Sequence, residues 1–474
     1  MSAPHYDRLS ASDLVFLEME DGPITMHIGA VCVFDGTSLL GTRGGFDMRR
    51  MRAFVAGSLA GNPRFRQRLA AVPVLEHPVW VDDPDFDLRR HVSHVRLPAP
   101  GGPRQLKRLA GALMETRLPR DRPLWEMCFV DGLTGGRAAL IARFHHCMID
   151  GISGVDILGA VLRLAPERRL PAAMPWRPRP LPSGARLLAD ELARRASAPL
   201  EALRGVGALW RDPRHALATA ATALHDLGAV GGATLGLASP TPLNVAVGPR
   251  RHVDWTAIDL AAVKAIKARW GGTVNDVVLT VLAGAVGRWL RDAGVDVGGL
   301  DFRLTMPASI RAADEHGTLG NKVGVLTLSL PIAERDPRRR LRAIVKATDA
   351  LKHSGQLHGV ALIAEASDRV FPPLAGWLAW GAARARTYNL SVTNVPGPPV
   401  PVYLLGARLQ AIYPLAFLFA RQALTVAILS YDGRLFWSLT ADPDALPDLR
   451  PLFAATRDEL ARLRAVTARR AARR

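Results

Sequence analysis

A chain of 474 residues is too long for one ordinary core, so two domains are expected. With 49% hydrophobic and 22% charged residues the composition is globular, and it excludes a disordered, collagen-like or repeat protein. The net charge is +18 and is nearly all arginine, since lysine occurs only at positions 107, 264, 267, 322, 346 and 352. Such an excess fits either codon composition or an affinity for anions, such as nucleotide phosphates or anionic lipid headgroups. Nucleic acid is disfavoured, because no recognition module is present and aromatics are sparse among the arginines.

Taken in chain order, the first segment, 1–21, carries Asp7, Asp13, Glu18, Glu20 and Asp21 and lacks the apolar run of a secretory leader. Cys32, Cys128 and Cys147 share no metal or redox spacing, which fits a reducing cytoplasm. Residues 26–34 (MHIGAVCVF) predict a strand that ends at the turn pair Asp35-Gly36. Helices are predicted at 48–59 and 105–116. The apolar runs 125–130 and 138–144 flank a Gly-rich turn and predict a hairpin. Residues 155–164 read as a helix, 171–183 as a Pro-dense linker, and 185–227 as an Ala/Leu/Arg-rich helical crossover.

A second half starts near residue 243. It predicts a strand at 251–255, helices at 260–270 and 274–292, and strands at 302–306 and 323–330. Helices within 337–352 and 359–383 follow, then strands near 390–393, 424–431 and 435–440, and a last helix at 446–463. The uncharged stretches 227–249 and 388–407 are broken by Gly and Pro, so neither reads as a spanning helix and the chain is expected to be soluble or peripheral. Mixed strands and helices in both halves predict an α/β (α+β) fold. The expected division is a domain at 1–170, a linker and crossover at 171–242, and a domain at 243–474.

The sharpest feature is His145-His146-Cys147-Met148-Ile149-Asp150-Gly151, directly after an apolar strand. Successive strand side chains face opposite ways, so the two histidines cannot do the same job. A histidine at a strand end can take a proton from an alcohol and return it to a leaving thiolate. Asp150, ahead of a glycine that permits a sharp turn, can fix the loop or pair with an arginine. A lone histidine beside an apolar strand is more often an ordinary core residue. A metal site at His146 and Asp150 is disfavoured, because the strand and Gly151 argue against a helix and no third ligand lies nearby. Asn275 and Asp276 open an apolar helix; both types favour helix starts, and an asparagine there can also hold an oxyanion.

The chain resembles the bacterial wax ester synthase/diacylglycerol acyltransferase family nearly end to end. The resemblance is carried by LSASDLVFLEMEDGPITMHIGA (9–30), PLW (123–125), HHCMIDG (145–151), LN (243–244), TVNDVVL (273–279), MPASIR (306–311), LGN (319–321) and TNVPGP (393–398). HHxxxDG alone is shared with CoA-dependent acyltransferases and peptide-synthetase condensation domains at large; PLW, NDVVL and NVPGP together are more specific. One departure is Ala308, where the family more often has valine.

The resemblance implies a two-domain chloramphenicol-acetyltransferase-like fold with the active site in a channel at the domain interface. It implies His146 as general base, with His145, Asp150 and Gly151 completing the motif, and no bound cofactor or metal, acyl-CoA being a co-substrate. Asn275 and Asp276 become oxyanion or channel candidates, Arg311 the structural partner of Asp150, and Trp125 channel packing. The 394–398 loop is expected to be rigid and structural. Apolar channel walls are expected at 155–162, 277–282 and 412–420. The expected reaction is triacylglycerol synthesis from diacylglycerol, in the cytoplasm at a membrane or lipid-inclusion surface. The alternatives are a wax ester synthase, transfer from a carrier-protein thioester, and a non-catalytic lipid-binding protein.

Overall fold

The computed structural model describes all residues except 1–5, 42–43, 76, 149–158, 173–174, 210–221, 223–224, 226–227, 229–235, 310–322, 357–358, 360–385 and 472–474. The chain opens with β1 (Tyr6–Arg8), α1 (Ala11–Met19) and β2 (His27–Asp35). Ser10 starts α1 by accepting from the Asp13 N–H at 3.1 Å. α2 (Met48–Leu59) is capped by Asp47 and buries Met51, Phe54, Val55 and Leu59 at helical spacing. Then come β3 (Gln67–Ala71), β4 (Pro78–Asp82), β5 (Val92–Arg96) and α3 (Pro103–Glu115). β6 (Trp125–Asp131) and β7 (Arg137–His145) form the predicted antiparallel hairpin. β7 is buried along almost its whole length because it lies inside a sheet, which is why it reads as an unbroken apolar run.

α4 (Gly184–Leu209) occupies part of the predicted crossover. The second half contains β8 (His252–Asp259), α5 (Leu260–Trp270), α6 (Val274–Asp292), β9 (Arg303–Ser309), β10 (Val323–Ser329) and α7 (Pro337–Lys352). It continues through β11 (Leu390–Pro396), β12 (Tyr403–Leu404), β13 (Ala407–Leu415), β14 (Leu424–Tyr431), β15 (Arg434–Ala441) and α8 (Arg450–Ala471). α8 begins and ends later than the apolar pattern predicts.

Two six-stranded sheets organise the molecule, in the orders β12-β13-β2-β7-β6-β5 and β10-β9-β11-β14-β15-β8, beside a small β1-β4-β3 sheet. Each large sheet has its own core, and strands and helices mix in both halves, as the expected α/β (α+β) fold requires. The halves also exchange structure: β13 pairs antiparallel with β2, placing Ile412 opposite Cys32 in the first sheet. A third apolar cluster of Met19, Ile24, Met26, Val247 and Leu418 bridges the halves, with Phe16, Phe417 and Phe419 packed against it. α3 docks on β8, where Lys107 pairs with Asp254 and the Arg251 N–H donates to Glu115 at 2.9 Å. Gly111 permits the approach, since a β-carbon there would lie 2.5 Å from the Arg251 carbonyl.

One local expectation needs correcting. Asn394, Val395 and Pro396 are not a free loop; they finish β11, parallel to β14. β11 pairs with β9 only at Leu390 and Ser391, so the N–H that Pro396 lacks is not needed on that side. The helix expected at 359–383, apart from Gly359, and the LGN motif lie outside the described residues.

Candidate active site

β7 ends at His145, and His146 opens a short 3₁₀ turn, His146–Met148. The two rings therefore separate at a strand-to-turn junction rather than by strand alternation. Backbone bonds fix the junction to two other motifs: His145 N–H donates to the Leu124 carbonyl at 2.9 Å, and His146 N–H to the Met26 carbonyl at 2.8 Å.

His145 is buried at 1% exposure, whereas His146 keeps partial exposure. The His146 imidazole stacks on Phe16 with centroids 3.8 Å apart, and Phe417 meets it edge-on at 5.7 Å. Its Nδ1 is buried and, among the described residues, has no well-formed hydrogen bond beyond the approach of its own backbone carbonyl. Desolvation, helped by the neighbouring His145, pushes its pKa down to about 3. The ring is thus a neutral imidazole at physiological pH.

Behind this turn lies a buried polar cluster that the sequence reading missed. Glu20 Oε1 lies 3.4 Å from His27 Nε2 and 3.6 Å from His145 Nε2, and also accepts the Met26 N–H at 3.2 Å. Its other oxygen accepts from Arg120 at 3.2 Å. Burial alone would raise the Glu20 carboxyl, but the two imidazoles outweigh it and hold it below the usual carboxylate range. His145 Nδ1 accepts the Cys147 N–H at 3.2 Å, so its proton belongs on Nε2, facing Glu20. The β2–β7 register creates this cluster by setting His27 opposite His145. A signal was available: Asp13, Leu17 and Glu20 recur at helical spacing and all three are buried.

Trp125 is fully buried; its Nε1 donates to the Phe65 carbonyl at 2.9 Å and its ring stacks on His91 at 4.7 Å. Asn275 and Asp276 part company. Asp276 closes a capping box, accepting from Thr273 N–H at 2.7 Å, and also takes the Thr348 hydroxyl at 2.7 Å. Asn275 is left out of the cap: its Oδ1 accepts from Asn394 Nδ2 at 3.2 Å, and its Nδ2 lies 4.0 Å from Met306 Sδ. Three separately read motifs therefore meet at one point. Asp150, Gly151 and Arg311 lie outside the described residues. Of the expected channel walls, Val277–Leu282 is buried in the second core, while Phe417 flanks His146 and Ile412 lines an apolar cavity of about 230 Å³ with Leu162, Val402, Leu409 and Tyr431.

Residues 9–278 match the wax ester synthase/diacylglycerol acyltransferase catalytic domain, and residues 319–464 match the C-terminal domain of the same proteins. The chain belongs to this family. It is an acyltransferase of the diacylglycerol O-acyltransferase/wax ester synthase type. Among its relatives, one Mycobacterium tuberculosis protein named a diacylglycerol O-acyltransferase is 32% identical over 462 residues, spanning 94% of this chain and 87% of the relative. A second from that organism is 30% identical over 480 residues, spanning 98% and 97%. The wax ester synthase/diacylglycerol acyltransferase of Marinobacter aquaeolei VT8 shares the fold, with a TM-score of 0.68 and 24% identity over 98% of this chain and 100% of that one. The first condensation domain of the calcium-dependent antibiotic synthetase shares it at a TM-score of 0.61 and 17% identity, over 99% and 97% of the two chains.

The desolvated imidazoles make stability depend on pH in a defined direction. An unfolded histidine binds a proton below about pH 6.5, whereas folded His146 stays neutral to about 3 and His27 to about 4. The unfolded state then holds more protons, so stability is full above pH 6.5 and is lost as pH falls below it. Each such group contributes a slope of up to about 1.4 kcal/mol per pH unit. Glu20, held low, adds a further loss only below its unfolded value of 4.5. Urea melts should be constant from pH 8 to 7 and weaken steadily from 6.5 to 4.5. Unchanged midpoints down to pH 5 would contradict the neutral state of these rings.

Proposed function

We propose that the protein transfers a fatty acyl group from acyl-CoA to the free hydroxyl of diacylglycerol, giving triacylglycerol and CoA. The observation that carries this reading is the placement of the His146 imidazole, wedged between Phe16 and Phe417 with Nδ1 buried. That leaves Nε2 to meet the acceptor hydroxyl. His146 takes the hydroxyl proton as the oxygen attacks the thioester carbonyl. The oxyanion that forms nearby stabilises the imidazolium, which offsets the low basicity of the desolvated ring. When the carbon–sulfur bond breaks, the proton passes to the leaving thiolate. Asn275 is the donor proposed for the oxyanion. His145, tied to Glu20 and the Cys147 N–H, holds the turn, and Asp150 with Arg311 is proposed as a structural pair.

The aromatic cluster around His146 and the apolar cavity between the sheets support a water-insoluble acceptor over a short alcohol. Each buried methylene contributes about 0.8 kcal/mol, so a long chain gains affinity that a short one lacks. The test compares catalytic efficiency with dioleoylglycerol, hexadecanol and butanol against palmitoyl-CoA. Dioleoylglycerol should lead. Hexadecanol well ahead would make the protein a wax ester synthase, and butanol ahead of both would refute a lipid acceptor.

We further propose peripheral attachment to an anionic lipid surface. No helix among the described residues is long and apolar enough to cross a membrane, and the net charge of +18 favours anionic headgroups. Attraction of about 1 kcal/mol per nearby basic residue is screened by salt. Protein bound to anionic vesicles at low salt should leave them in a high-salt wash; release only by detergent would count against the proposal.

A further inference from the structure

We propose that Asn394 is a positioning residue for acyl transfer: its side-chain amide orients the Asn275 carboxamide so that Asn275 Nδ2 is the group left to donate to the oxyanion. This rests on the reading of Asn275 given above. Asn275 occupies the first turn of α6, yet Thr273 and Asp276 complete the helix cap between themselves, so capping does not fix its side chain. The contact that does is Asn394 Nδ2 donating to Asn275 Oδ1 at 3.2 Å.

Turning both amides over is chemically disfavoured. Asn275 Oδ1 would then face Met306 Sδ, and a thioether sulfur accepts weakly but cannot donate. In the observed arrangement the amide nitrogen faces the sulfur, and that 4.0 Å contact is too weak to occupy both of its hydrogens. Asn275 and Asn394 are both partly exposed, so the donor is not sealed in the core. The backbone explains the meeting point: β11 and β9 are paired at Leu390–Leu304 and Ser391–Thr305, and Asn394 and Met306 lie just beyond that last rung. Asn275, from the start of α6, contacts both side chains there. The asparagine of NVPGP thus has work that a purely structural loop residue would not have.

The experiment uses the full chain with palmitoyl-CoA and dioleoylglycerol. Asn394→Asp keeps the side chain's shape but replaces the donor by an acceptor, so Asn275 must turn its Nδ2 towards position 394 and away from the oxyanion. Its kcat should fall by about 10-fold or more, towards the roughly 10²-fold loss expected for Asn275→Ala, with KM and melting temperature little changed. Asn394→Ala, which frees the amide without reversing it, should lose less than Asn394→Asp. In the Asn275→Ala background, Asn394→Asp should cost no further kcat. A further loss there, or a fall of several degrees in melting temperature for both Asn394 variants, would make the residue merely structural and overturn the proposal. Normal kcat in Asn394→Asp beside an impaired Asn275→Ala would overturn it and leave Asn275 standing. Normal kcat in Asn275→Ala would remove the reading on which it rests.

Discussion

His146→Ala should lower kcat by about 10²–10⁴-fold while the protein remains folded, because the variant has no group to take the acceptor's proton. The loss should fall on the chemical step, with palmitoyl-CoA binding unchanged, since the imidazole contacts rings of the protein, Phe16 and Phe417. The same variant should make the acid branch of the stability profile less steep, leaving the part due to His27, because a desolvated group that must stay neutral has been removed. Near-normal turnover of a purified, folded variant would remove His146 from the mechanism. His145 differs in kind: buried and bonded through Nδ1 to the Cys147 N–H, it holds the turn.

Glu459→Ala should destabilise the second half by about 3–5 kcal/mol, the loss expected when one partner of a buried ion pair is removed. Arg340 on α7 is 1% exposed and pairs with Glu459 on α8, which is 3% exposed. Burial lowers the Arg340 pKa, and its guanidinium also donates to the Glu334 carbonyl at 3.2 Å. The pair packs against Gly284 of α6, where a methyl group would overlap both Arg340 Nη1 and Glu459 Oε2. This contact ties α7 and α8 to the helix that delivers Asn275. Replacing both partners, Arg340→Met with Glu459→Leu, should recover most of the loss, because no buried charge is then stranded; Arg462, which also pairs with Glu459, is half exposed. Chemical denaturation of the three variants decides it; equal destabilisation of the double and single variants would contradict the argument.

The parts of this structure that were legible in the sequence are those written in local chemistry. α5, α6 and α7 begin and end at the predicted residues because Asp259, Thr273 and Asp336 cap their starts and Gly271 follows the first of them. The His145-His146 junction is visible because an apolar run stops there. The illegible parts depend on distant pairing. Nothing in 407–415 states that β13 will join β2 rather than its sequence neighbour β14. Glu20, His27 and His145 become one cluster only through the β2–β7 register and the packing of α1 on the turn. Asn394 reads as loop because its Pro and Gly neighbours signal one, and the parallel partner β14 that makes it strand lies some thirty residues on. Asn275 and Asp276 looked alike as helix-start residues; the Thr273 box and the Asn394 contact separate them.

Direct transfer by His146 is tested most closely by following CoA release in a rapid-quench experiment with enzyme in excess over palmitoyl-CoA. With dioleoylglycerol present, one CoA should appear for each triacylglycerol formed, and His146→Ala should slow both together. Without acceptor, no CoA should be released and no palmitoyl label should remain on the denatured protein. A stoichiometric burst of CoA in the absence of acceptor, with label retained on the chain, would show an acyl-enzyme and contradict direct transfer.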